Sequence, residues 1–489
     1  MHIIINRLDE KDVHIQPVSI GAETSFRLPE HRKQQQVLTW LYGRTEMEQD
    51  ILSVGLGKEE KLSYEAIRRA GASSARELLR ENKTSGSLKR IIPWTSHLTA
   101  REELRAWAEG WLYGSYQFNK HRGITASKQV TELHLQSNEW PELSLEEMEQ
   151  TIAEAAIRNE GTSLTRDLVN EAPESLHPEA FVKRVEELFR DAPGVKLHVY
   201  QGEELVQHQM NGLIAVGGGS KYKPALVEIQ YDGTVHGAVS SNEECQAEPL
   251  VLIGKGITFD MGGMNVKTGH DISDARMDMG GAAAIVGAMN ILVQTKASVQ
   301  VTALLAIADN LSGSDAMMPA SVVTYPNGMS VQVANTDGEG RLIIADALLH
   351  AERIGARKVI DIATLTGNVG AALGLELAGI WGNEELTSEL VELGLYNGEK
   401  LWPMPLVDEY ESELRSDYAD LRNIGTGSLA GAITAALFIR HFVADTMKWV
   451  HIDMAGTVQY KREYPYAAAG ATGYGARLLA DYVERQYNA

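Results

Sequence analysis

The sequence predicts an α/β protein, with a smaller N-terminal α/β domain followed by a larger C-terminal α/β domain. The central sheet of the larger domain is expected to be mixed, mostly parallel and flanked by helices. Three observations carry this. A chain of 489 residues is too long for one hydrophobic core. The patterning changes near residue 160, which places the domains at 1–160 and 161–489. Beyond that point short apolar runs alternate with helical stretches, the signature of strands joined by crossover helices.

In chain order, the first domain mixes helix and strand signals. It includes the amphipathic run "AREELRAWAEGWLYGSYQF" and a loop at "ENKTSGSLKRIIPW", residues 81–94. The stretch "LSLEEMEQTIAEAAIRNEGTSLTRDLVN" has helical apolar spacing, and Pro173 and Pro178 then mark a break and a new helix start. The runs "GLIAVG", "ALVEIQY", "PLVLIG", "VTALLAIA", "KVIDIATL" and "WVHIDMA" read as strands. Between several of them lie the helical "GGAAAIVGAMNILV", "LIIADALLHAERI" and "GAITAALFIRHFV". In parallel sheets, sites form beyond the carboxyl ends of strands.

Composition narrows the function. The formal net charge of −21 disfavours nucleic acid and anionic membranes as partners, since phosphate neutralisation needs basic clusters. No apolar run reads as long enough to cross a bilayer, and the N-terminus has no export-signal pattern. The one cysteine, Cys245, cannot form an intrachain disulfide, which suits a reducing cytoplasm. Its acidic neighbours argue against a nucleophile. Fourteen histidines form no H-E-x-x-H pattern. His270 reads as solvated, and His350 and His451 as core.

Three polar clusters follow apolar strands. "GKGITFDMGGMNVK", residues 254–267, looks like a phosphate loop, but its first lysine comes too early, no hydroxyl follows, and Asp260 would repel phosphate. Asp278 precedes a small-residue helix and alone could be a cap. In "VANTDGEGRL", Asp337 and Glu339 stand two apart in a Gly-rich turn, with Arg341 at a helix start; alone, this too could be a turn with a cap. Together, however, four carboxylates at strand ends would repel one another unless cations neutralise them. Two divalent ions would do so, and oxygen-rich ligands suit Mn, Mg or Zn.

In these blocks, with "TRDLVN", "VGGGS", "DIATLTG", "GAITAA" and "HIDMAG", the chain resembles the leucine (cytosol) aminopeptidase family over about residues 160–480. The first domain shows no comparable signature. The resemblance implies a cytoplasmic metallo-aminopeptidase that releases N-terminal amino acids from peptides, with a metal-bridging hydroxide attacking the first peptide carbonyl. It implies two ions, Mn or Zn with Mg also admissible, held by Lys255, Asp260, Asp278, Asp337 and Glu339, with Asp260 and Glu339 bridging. Lys267 would hold the carbonyl oxygen, and Arg341 a bicarbonate that relays the proton. Asp278 would also meet the substrate amine, and Thr364, Leu365 and Gly367 the substrate backbone and first side chain. A homo-hexamer, built as a dimer of trimers, is implied as well, with the variable first domain serving assembly. The alternative is a non-catalytic scaffold or nucleic-acid-binding relative that keeps the fold.

The chain departs from the family pattern at Met261, Gly338, Ala430 and Ala275. Many members have Ser, Ala, Gly and Met at these positions. Ala275 matches a position lining the pocket for the first side chain, so loss of bulk there puts a strict leucine preference in doubt.

Overall fold

A computed structural model describes residues 3–7, 13–45, 48–90, 94–123, 131–236, 248–268 and 271–488. Cys245 and His270 lie outside the described residues. The chain forms two compact units: Met1–Ser163 with Tyr396–Gly398 and Tyr460–Gly470, and Leu164–Leu395 with Glu399–Gln459 and Ala471–Ala489.

The first unit holds a six-stranded sheet of β1 (Ile3–Ile5), β2 (Val13–Ser19), β3 (Leu38–Leu41), β4 (Ile51–Gly57), β5 (Ser85–Leu88) and β6 (Glu132–Leu135). Their spatial order is β1-β6-β5-β2-β4-β3, and only the β3–β4 pair is antiparallel. Part of the stretch read as a loop at 81–94 is therefore strand β5. The helix Ala100–Gly114 starts with a reciprocal capping box between Thr99 and Glu102. Leu104, Trp107 and Trp111 recur on one face of it and are buried in this unit's core. The two later segments pack into the same unit. Tyr396 stacks on Tyr64 at 5.0 Å, Arg69 lies over the Tyr466 ring at 4.4 Å, and Glu463 pairs with Arg76.

The second unit is built on eight strands: β7 (Val195–Gln201), β8 (Ala225–Asp232), β9 (Leu250–Asp260), β10 (Gln300–Asn310), β13 (Lys358–Ala363), β14 (Ala378–Gly382), β15 (Leu401–Pro403) and β17 (Lys448–Asp453). A small sheet of β11 (Val322–Thr324), β12 (Ser330–Gln332) and β16 (Leu421–Arg422) completes the numbering. The large sheet runs β15-β14-β17-β13-β9-β10-β8-β7, with β17, β13, β9 and β10 all parallel at its centre.

Both faces of these strands are apolar. Leu252, Leu305 and Ile362 join the core under helices Pro178–Phe189, Gly280–Gln294 and Ala476–Asn488. Val251, Leu304 and Val359 join the core under helices Gly340–Arg353 and Gly431–Arg440. That alternation is the period of two expected of a strand covered on both sides. The segment Ser273–Gln294 is, contrary to the sequence expectation, long and apolar enough to cross a membrane by length and composition; 83% of its apolar 18-residue stretch is buried in the fold, as a core helix is. "GLIAVG" is a second correction, since Asn211–Gly217 is a helix. Its side chains Leu213 and Val216 are buried where a strand was expected.

Candidate active site

The four central strands are parallel, so their carboxyl ends meet on one edge of the sheet. There Asp260 ends β9 in register with Asn310 of β10, and Asp453 ends β17 in register with Ala363 of β13. Loops leaving these ends carry Asp278, Thr364 and the segment Asn335–Arg341.

Lys255 lies inside β9 and is only 2% exposed. Its side chain turns to the helix Gly340–Arg353, where a Cβ on Gly340 would lie 2.5 Å from Lys255 Cε, so the glycine leaves the channel open. Lys255 Nζ stands 2.7 Å from Asp278 Oδ2 and 2.9 Å from Glu339 Oε1, and donates to the Thr364 carbonyl at 3.1 Å. Burial alone would lower its pKa, but Asp278, Glu339 and Asp260 outweigh that and raise it. Thr364 Oγ1 donates to Asp278 Oδ1 at 2.8 Å. The helix after Asp278 takes no side-chain cap, nor does the one after Glu339, so neither carboxylate acts as a cap.

Lys267 is 34% exposed, unlike Lys255, and so faces arriving solutes. Its Nζ pairs with Asp260 Oδ2 at 2.7 Å and also with Asp337. Asp260 Oδ1 accepts from Gly262 N at 2.9 Å and from Asn310 Nδ2 at 2.8 Å. Asn310 also reaches Glu339 Oε2 at 3.4 Å, so one neutral amide touches two of the carboxylates. Burial, then the charge of Asp260, raises the pKa of both Asp337 and Glu339. Burial is also the main cause for Asp278.

One oxygen each from Asp260, Asp337 and Glu339 lies within 4.8 Å of the others. At an effective dielectric of about 20, each ionised pair at that spacing costs about 3 kcal/mol. Three such pairs rival the ~5–15 kcal/mol stability of a whole protein. Oxygen-only, short of positive charge and buried at Asp260 and Glu339, this donor set fits hard divalent cations, with Lys255 and Lys267 supplying the compensating charge here.

Arg341 is buried at the second position of its helix. Its Nη1 donates to the Asn423 carbonyl at 2.7 Å, while Nε has no partner among the described residues. Burial pulls its pKa down to about 10, against Glu339, Asp453 and Asp337, which raise it. Leu365 is half-buried and Gly367 exposed, with open space where a Gly367 Cβ would sit. Ala275 is half-buried in the short helix Ser273–Met277.

The profile of the cytosol aminopeptidase family catalytic domain matches residues 163–480. The chain belongs to the cytosol aminopeptidase family. The profile of the family's N-terminal domain matches residues 32–123, although no signature was legible there. A probable cytosol aminopeptidase of Clostridium perfringens is 34% identical over 90% of this chain and 87% of its own. One of Syntrophotalea carbinolica is 36% identical over 89% and 86%. Among solved structures, the bottromycin maturation enzyme BotP in complex with Mn has a TM-score of 0.84 at 28% identity, covering 97% of this chain and 99% of its own. This family member is thus a metallo-aminopeptidase, a peptide hydrolase.

Several residues at the site were not singled out in the sequence. Asn310 sits at a strand end, where the same rule that found Asp260 points. Asp453 accepts from Leu365 N at 3.1 Å and Thr366 Oγ1 at 2.7 Å, holding the loop after β13. His350 and His451 are buried on Glu228 and Asp361, as expected of core histidines.

Proposed function

We propose that this protein removes amino acids from the free N-terminus of peptides at a two-metal centre built from Lys255, Asp260, Asp278, Asp337 and Glu339. The convergence of four carboxylates on two lysines is the observation that carries this. Asp260 and Glu339 would be shared by both ions, Lys255 and Asp278 would complete one position, and Asp337 would serve the other. Two bound ions would polarise the scissile carbonyl and supply hydroxide near neutral pH. Lys255 must lose its proton to act as a ligand, because an ammonium has no lone pair. Mn has the support of the Mn complex of BotP; Zn and Mg satisfy the same oxygen-rich set.

Lys267, the exposed lysine, holds the carbonyl oxygen and stabilises the charge that develops on it. The unclaimed Nε of the buried Arg341 supports its role in holding bicarbonate as proton carrier, since a planar guanidinium matches a planar oxyanion. Asp278 receives the substrate ammonium, which confines cleavage to the first residue. Thr364, Leu365, Gly367 and Ala275 border the first residue, and the small Ala275 admits side chains larger than leucine. The reading includes a cytoplasmic homo-hexamer, a dimer of trimers with the first domain serving assembly, on the strength of family likeness. Sedimentation of the native protein checks it.

The test is a panel of aminoacyl amides varied at the first residue, run after chelation and after return of Mn or Zn with bicarbonate. Hydrolysis lost on chelation and restored by metal is expected. No hydrolysis anywhere in the panel would favour the non-catalytic alternative. Lys267→Ala should keep both ions while kcat falls about 10²–10³-fold, the usual loss for one oxyanion donor. An empty metal position in that variant would contradict its assigned role.

A further inference from the structure

We propose that Asn423 is a positioning residue for the loop carrying Asp337, Glu339 and Arg341, and that Gly338 lacks a side chain to give it room. This rests on the two-metal reading only for its functional consequence.

Asn423 directly follows β16, which pairs in parallel with β12, and its own N–H donates to the Gln332 carbonyl at 2.9 Å. That pairing aims its side chain at the segment leaving β12. The side chain is fully buried, and its amide is fully used. Oδ1 accepts from Ala334 N at 2.8 Å and Asn335 N at 3.3 Å. Nδ2 donates to the Asn335 carbonyl at 2.6 Å and the Gly338 carbonyl at 3.2 Å. The Asn423 carbonyl receives the Arg341 guanidinium at 2.7 Å. Asn335 passes the constraint on, since its Oδ1 accepts from Asp337 N at 2.8 Å. One residue, distant in sequence, thus ties down both ends of a loop that presents two carboxylates and a cation.

Gly338 completes the device. A Cβ at 338 would lie 2.8 Å from Asn423 Nδ2, inside the closest approach real side chains make. That amide is held at four points and cannot swing aside freely. Where many family members have Ala, this chain couples a glycine to the clamp.

The test uses the full-length protein with Asn423→Ala, Asn423→Asp, Gly338→Ala and the Gly338→Ala/Asn423→Ala double variant. Asn423→Asp keeps the acceptor but turns an oxygen towards two carbonyls, so it breaks only the donor half and covers the case of an Ala variant that does not fold. Hydrogen exchange over 334–341 in the metal-free protein reports the clamp without any metal. It should rise at least about tenfold in both Asn423 variants while β9 and β13 stay protected. Mn²⁺ affinity by calorimetry should fall about 10–100-fold, the usual cost of losing a residue that orients metal ligands. Gly338→Ala should show a smaller loss alone and none on top of Asn423→Ala, because the two act through one contact. Wild-type exchange at 334–341, or additive losses, would overturn the proposal. Wild-type protein that binds no Mn²⁺ would instead count against the two-metal reading, and the exchange data would still decide the role of Asn423.

Discussion

In the first unit, buried carboxylates are answered by arginines: Glu103 by Arg90 at 3.0 Å, Glu109 by Arg158 at 2.8 Å, Glu65 by Arg68 and Arg69 at 2.5 and 2.7 Å. At the carboxyl edge of the second unit's sheet, Asp260, Asp278, Asp337 and Glu339 share Lys255 and Lys267, while Arg341 donates to a carbonyl instead. Matched charge holds a fold together; a surplus of one sign is a demand for a ligand. Burial does not separate the two regions, since Glu103 and Glu339 are both almost wholly enclosed. The ratio of carboxylates to cations does.

The comparison is broken most severely at Asp260. Asp260→Ala should lose both ions and lower kcat by at least about 10³-fold, several kcal/mol of transition-state stabilisation. Metal-free thermal stability should stay near wild type, because a surplus charge has been removed. Full Mn occupancy with normal turnover would end the bridging assignment. In the first unit the opposite holds. Glu103→Ala leaves Arg90 with only the part-exposed Glu142 as a charged partner and strands two backbone N–H groups, Trp94 and Thr95, in the core, and should cost about 2–4 kcal/mol in denaturant unfolding. A loss below about 1 kcal/mol would show that the matched pair is not what stabilises that unit.

Asp346 shows a third way to bury a carboxyl. No ion pair answers it among the described residues; it accepts from Leu213 N at 2.7 Å, and burial raises its pKa to about 8. The unfolded value is about 3.9, so between about pH 4 and about pH 8 the folded state holds a proton that the unfolded state has released. Stability should therefore fall as pH rises through that window, by at most about 1.4 kcal/mol per pH unit, and level off beyond it. Asp346→Asn should remove that contribution. Identical pH slopes in thermal melts of the two proteins would dismiss it.

Much of this was legible because strand ends concentrate chemistry. "PLVLIGKGITFD" and "KVIDIATLTG" are apolar runs that turn polar abruptly, and Asp260 stands at the first turn and Thr364 at the second. The Leu145–Asn170 helix was equally clear from spacing alone. "GLIAVG" was misread because four apolar residues flanked by glycine fit a strand or a short helix equally well. "SGSL" looked like a loop, but β2 and β6 on either side supply the ladder that its Ser/Gly composition does not advertise. Asn310 and Asn423 carry no charge, and Asn423 meets backbone atoms more than eighty positions away. Nothing local marks such a residue.

The first unit is assembled from three stretches of chain, the last of them Tyr460–Gly470. On a ribosome those residues emerge long after the six strands of the same unit. Its sheet and its tryptophan core can form early, but Arg76 and Arg69 must wait for Glu463 and Tyr466. The polypeptide is therefore not folded domain after domain as it is translated: the unit begun first is among the last to be finished, and a message truncated before codon 460 leaves both units incomplete.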